Sequence, residues 1–147
     1  MLPLVQFIAI FATTIFAGAA IYINLVEHPA RMGCSTELAA TEWAPSYKRA
    51  TLMQAPLAII GFLSGLAAWW LGAGLLWLIA ALLILSVVPF TLIVIEPRTN
   101  KPLLVPGRDL ASAETRALLV KWARLHAVRS VLGLIASAIF IWQAVGA

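Results

Sequence analysis

Three stretches of this chain carry no Asp, Glu, Lys or Arg: residues 1–26, 51–95 and 130–147. A hydrocarbon layer about 30 Å thick takes roughly 20 helical residues to cross. The first stretch therefore serves one crossing, and the second, too long for one, serves two. Backbone groups inside lipid have no water to bond, so each crossing must be an α-helix that satisfies its own N–H and C=O groups. Gly72-Ala73-Gly74 falls near the middle of the second stretch and predicts a tight turn between two helices. The third stretch has 18 residues and is slightly short, so its helix must begin upstream, near Lys121 or Trp122. That start draws His126 and Arg129 to the edge of the hydrocarbon, where ionisable groups face a partner or a wet cavity. The expectation is an all-α integral membrane four-helix bundle in a single domain, with spans at about 3–27, 51–71, 75–96 and 122–145.

Composition agrees: 63% of residues are hydrophobic and 11% charged, with a mean hydropathy of +0.98, whereas a soluble domain is roughly a quarter charged. The pI near 9.9 does not signal a nucleic-acid partner, because the basic residues flank apolar spans and form no separate basic domain. No Lys or Arg precedes the first stretch, which reads as a retained helix rather than a secretory signal. The single cysteine, Cys34, excludes an internal disulfide and a multi-cysteine metal site. Pro29 marks a bend or an end of the first helix at His28, and Pro89 kinks the third. Pro56 is expected near the start of the second, where its missing donor matters least.

All ten basic residues lie between spans one and two or between, or at the junction of, spans three and four, and the six acidic ones lie in these two regions or at the span ends that border them. The positive-inside rule then places both connecting segments in the cytoplasm and both termini outside, as a multi-pass protein of a bacterial inner membrane. The halves also look like a weak tandem repeat of two helical hairpins. Each reads helix, Glu near Pro and Arg (Glu27-His28-Pro29-Ala30-Arg31; Glu96-Pro97-Arg98), connection, then Trp-Ala-x-x-aromatic (Trp43 to Tyr47; Trp122 to His126).

Two polar faces stand out at the charged end. Asn24, Glu27, His28 and Arg31 follow three-to-four residue spacing on the first helix; Trp122, His126 and Arg129 do so on the fourth, continued by Gly133 and Ser137. The first group also fits an interfacial cap that stops the helix at the headgroups, Trp122 an aromatic belt, and Arg129 a snorkelling cation. Their delivery to one membrane face favours a shared cavity, whereas the second helix, which carries Gln54, is assigned no chemistry from its own pattern. Gly61-x-x-x-Gly65 on that helix reads as a packing motif. His28, His126, Glu27 and Glu96 are conceivable metal ligands, and the two histidines conceivable haem ligands. No HxxxH or ExxH pair supports either reading.

The runs Gly18 to Arg31, Trp43-Ala44-Pro45-Ser46-Tyr47-Lys48-Arg49-Ala50 and Trp122-Ala123-Arg124-Leu125-His126-Ala127-Val128-Arg129 resemble the anthrone oxygenase-like family of small four-helix membrane proteins. Some fungal members of that family oxidise polycyclic anthrones to anthraquinones with molecular oxygen and without a dedicated cofactor. The resemblance implies a small apolar or aromatic substrate in a site with a base, an oxyanion stabiliser and a dry pocket. The residues expected to supply them are His126 or His28 as base, Glu27 to orient a histidine, and Arg129 and Arg31 as anion stabilisers. Tyr22, Asn24, Gln54 and Trp122 are expected to line the pocket. The alternative is a membrane protein, possible as a homo-oligomer, that binds haem, a metal ion or a small amphiphile without catalysis.

Overall fold

The computed structural model describes residues 1–146. Four helices, each long and apolar enough to cross a membrane, make up almost all of it: α1 (Leu2–Met32), α2 (Thr36–Ala73), α3 (Leu75–Leu103) and α4 (Ala113–Val145). The chain is a multi-pass membrane protein built as an all-α four-helix bundle. Each helix packs on two neighbours, α1 and α3 both lying against α2 and α4, so that α1 and α3 face each other across a diagonal. The ends of α1 and α3 and the starts of α2 and α4 share one end of the bundle, which therefore collects every charged side chain.

The helices outrun the apolar stretches. At 1.5 Å per residue, a helix of 33 residues is about 50 Å long and overshoots a bilayer core. Helix α2 begins at Thr36, well before residue 51, under a Ser35 N-cap whose side chain accepts from the Leu38 N–H at 3.3 Å. Helix α4 begins at Ala113, capped by Ser112 accepting from the Thr115 N–H at 3.1 Å. Glu37 and Glu114 follow in the first turns, where a helix dipole favours negative charge. The segment expected to connect spans one and two is thus mostly helical. Pro56, expected near the start of α2, instead lies deep inside it together with Pro45.

Pro29 does not end α1. The helix widens into a π turn over Ile23–Glu27 and continues to Met32. A proline lacks the N–H that would bond the carbonyl four residues back and its ring crowds that carbonyl, so the ladder opens on its N-terminal side. Helix α3 does the same over Thr91–Asn100, around Pro97. At the opposite end of the bundle the expected break is present, with Gly72 at φ 91° and Gly74 at φ 101°, backbone that L side chains avoid.

The core alternates small and aromatic side chains. An added Cβ at Gly133 would strike the Phe16 ring, and one at Gly65 the Phe140 ring and Ala81. One at Gly61 would meet Thr13, so the Gly61-x-x-x-Gly65 face is a close helix contact as expected. Thr14 and Ser137 hydroxyls bond across α1 and α4 at 2.8 Å. Toward the charged end the packing turns to larger groups, with Trp43, Ile95, Leu119 and Trp122 buried together.

Candidate active site

Asn24, in the π turn of α1, joins that helix to α4. Its Nδ2 donates to the Ala123 carbonyl at 3.0 Å, which fixes the amide's orientation. Its Oδ1 lies 2.7 Å from His126 Nδ1 and accepts from Ser130 Oγ at 2.6 Å. An amide oxygen only accepts, so the imidazole proton sits on Nδ1 and the Nε2 lone pair is left free. His126 is 2% exposed. A buried neutral imidazole held in that tautomer has what a general base requires.

Nearly one turn on, Arg129 donates from Nη2 to Gln54 Oε1 of α2 at 2.9 Å. Its guanidinium carbon lies 5.8 Å from the centroid of the Phe16 ring, within range of a cation–π contact. Among the described residues the ion pairs are Arg31 with Glu27 and Glu42, and Arg108 with Glu114; none includes Arg129. A buried guanidinium without a counter-charge is costly at membrane depth, unlike one met by a carboxylate.

Arg31 shows that other case. Its Nε lies 2.5 Å from Glu42 Oε2, a second nitrogen bonds Glu27, and Ser46 Oγ accepts from it at 3.0 Å. Ser46 in turn donates to Glu27. This knot ties α1 to α2 and takes up the Arg31 charge. The hydrogen bonds of Glu27 therefore go to Arg31 and Ser46, and to neither histidine.

The two histidines do not open onto one cavity. Trp122 packs on both rings, with centroids 5.2 Å from His28 and 4.8 Å from His126, and stands where a common ligand would have to sit. His126 and Arg129 line a small void of about 10 Å³ with Gln54. A groove of about 630 Å³ between α1 and α2, walled by Tyr22, Ile23, Glu27 and Ser46, also reaches Gln54. A third cavity, of about 120 Å³, lies between α2 and α3 with Arg129, Gln54, Tyr47 and Glu96 in its walls. Gln54 is thus common to all three spaces, and His28 lines none of them. Tyr22 stands at the groove's mouth, 55% exposed. Among the described residues no three of His, Cys, Asp and Glu converge as a metal site would require.

Sequence reasoning placed Asn24, Gln54, Trp122, His126 and Arg129 in a pocket, and the structure brings these together. It assigned no role to Glu42, Ser46 or Tyr47, because they lie outside the uncharged apolar stretches and so fell in a connection. Extending the helix through Pro45 puts Glu42, Ser46, Ala50 and Gln54 at four-residue spacing, a signal for the groove-facing stripe.

A four-helix membrane protein with an oriented buried imidazole and an uncompensated buried cation is the class that fold and site define. The comparisons supply the family: the anthrone oxygenase profile matches residues 43–139, more than half of the chain, and the chain belongs to that family. It is 42% identical over 74 residues to anthrone oxygenase tpcL of Aspergillus fumigatus, covering 49% of this chain and 46% of that protein. The chain thus matches about half the length of this curated relative. No solved structure matches. The matched segment includes Tyr47, Gln54, Glu96, Trp122, His126 and Arg129, whereas Asn24, Glu27, His28 and Arg31 precede it.

Proposed function

We propose that the chain oxidises an anthrone-type polycyclic ketone to the quinone with dioxygen, one oxygen atom entering the product and the other leaving as water. The observation that carries this reading is the juxtaposition of Arg129, buried without a carboxylate, and His126, oriented by Asn24, around one space. A ketone flanked by aromatic rings has a weakly acidic C–H, and its anion passes electrons to dioxygen directly, so the chemistry calls for no cofactor. His126 Nε2 takes the proton. The charge that develops on the ketone oxygen then finds Arg129, a preorganised cation in a water-poor site. The groove between α1 and α2 is wide enough for a flat polycycle and leads to Gln54. A small aromatic substrate dissolved in the bilayer is the partner this arrangement suits.

The test is oxygen uptake by the protein in lipid nanodiscs supplied with an anthrone. Uptake matched mole for mole by quinone, above that of empty nanodiscs, is expected; no excess over the empty discs would refute the reading.

We further propose that the charged end faces the cytoplasm of a bacterial inner membrane and both termini lie outside, from the ten-to-none distribution of basic residues. A C-terminal reporter should read as non-cytoplasmic, and a cytoplasmic signal would reverse the orientation.

A further inference from the structure

Beside Arg129 lies a second polar cluster that the base and the oxyanion cradle do not use. The Tyr47 hydroxyl lies 3.2 Å from Glu96 Oε2, crossing from α2 to α3. Asn100 Nδ2 donates to the same oxygen at 3.0 Å, and Thr99 Oγ1 bonds the other atom of that amide, Oδ1, at 3.4 Å. Asn100 and Thr99 are fully buried, and Glu96 is half-buried with its Oε2 held by two hydrogen bonds. The widened turn of α3 carries Glu96, Thr99 and Asn100, and the Tyr47 ring is stacked on Trp43 with centroids 5.2 Å apart. Tyr47 is the one member that lines two spaces: the void it shares with His126 and Arg129, and the cavity between α2 and α3 that it shares with Arg129 and Glu96. A hydroxyl backed by a carboxyl group, beside Arg129 as is an imidazole with a free lone pair, gives the site two separate proton-handling groups.

We infer that Tyr47 is the proton donor for cleavage of the O–O bond, with Glu96 as the positioning residue that accepts the Tyr47 hydrogen bond and holds the hydroxyl in place. The inference rests on the oxygenase reading, whose O–O cleavage is eased by a second group that protonates the leaving oxygen while His126 is engaged at carbon. His126 removes the first C–H proton. The carbanion adds dioxygen, forming a C–O bond, and the peroxide anion takes the proton back from His126. His126 then removes the second proton from the same carbon. The electron pair of that C–H bond becomes the second bond of the new carbonyl, the O–O bond breaks, and its electrons leave with the terminal oxygen as hydroxide. At that instant His126 already holds a proton taken from carbon, so the departing hydroxide needs one from elsewhere. Tyr47 gives it, and water leaves. The proton on His126 returns through solvent to the Tyr47 oxygen, so one ketone and one dioxygen give one quinone and one water.

Tyr47→Phe separates the two halves of the sequence while keeping the ring on Trp43. In nanodiscs under argon, in deuterated buffer, the wild-type protein should exchange the acidic C–H of an anthrone faster than buffer alone, and Tyr47→Phe should match it within about twofold. In air the variant should form quinone at least roughly tenfold more slowly and release a substrate hydroperoxide detectable by peroxide assay, since a positioned acid contributes about a hundredfold or more. Glu96→Gln should also slow quinone formation and displace its pH profile, which loss of a merely structural bond would not do. Wild-type quinone formation by Tyr47→Phe, or loss of exchange together with turnover, would overturn the inference and leave the oxygenase reading standing. A wild-type protein that neither exchanges nor oxidises the substrate would remove both.

Discussion

On the α4 side of the bundle Trp122 stacks on His126 four residues later, and His126 reaches across to Asn24 of α1. On the α2 side Trp43 stacks on Tyr47 four residues later, and Tyr47 reaches across to Glu96 of α3. The two tryptophans meet edge to face, with centroids 5.7 Å apart, near the middle of the charged end. Each odd-numbered helix enters this region through a π turn beside a proline. One hairpin design has thus been used twice with different tips: an imidazole fixed by a neutral amide on one side, a phenol backed by a carboxyl group on the other. Arg129 and Gln54 lie between them. The difference teaches that the packing is shared whereas the polar groups are not, and the proposed chemistry assigns a proton acceptor to the α4 side and a proton donor to the α2 side.

Arg129→Met should break this division most severely. It removes the cation between the two sides, and quinone formation should fall by about a hundredfold to a thousandfold, the range for loss of an oxyanion donor. Because the guanidinium is buried without a carboxylate, its replacement by an apolar side chain of similar volume should raise the thermal midpoint in detergent. A lowered midpoint would mark Arg129 as structural. The next effect is confined to the α4 side. Asn24→Leu strands His126 Nδ1 and Ser130 Oγ, and should destabilise the bundle by about 1–3 kcal/mol while slowing C–H exchange more than Tyr47→Phe does; equal exchange rates in the two variants would erase the distinction. Replacing Gly61 and Gly65 by Leu pushes α2 off Thr13, Phe140 and Ala81. The expected loss of stability is about 1–3 kcal/mol, with both proton steps weakened alike, and unchanged thermal unfolding would show that these contacts carry no stability. Trp43→Phe and Trp122→Phe should give the smallest changes, near 1 kcal/mol each and similar to one another, since both keep an aromatic partner in place.

The count of helices, the glycine turn at 72–74 and the gathering of polar groups at one end were legible because apolar run length and charge position report directly on lipid crossing. Helix extent was not. An apolar run measures the part of a helix inside hydrocarbon and is silent on the turns that continue into the headgroups, which is why Thr36 to Ala50 read as a connection. Pro45 falls within that stretch, and at this membrane end its missing N–H is tolerated within α2. The site was half legible. Asn24, His126 and Arg129 followed from spacing and from the short fourth apolar run, and Gln54 only from the family resemblance. His28 has the same spacing credentials, but the register of a π turn cannot be read from a 3.6-residue period, and it leaves His28 behind Trp122. Glu27, expected to orient a histidine, and Arg31, expected to stabilise an anion, instead pair with each other, and the bond from Arg31 to Glu42 was hidden with the rest of α2's first turns.

The account stands on His126 rather than His28 as the base, and substituting each by Ala in turn tests this most directly. Quinone formation in nanodiscs should fall about a hundredfold or more in His126→Ala and stay within about threefold of wild type in His28→Ala, whose ring packs on Trp122 and lines none of the spaces at Gln54. A folded His126→Ala protein that oxidises the anthrone at the wild-type rate, or an inactive folded His28→Ala protein beside it, would contradict the account.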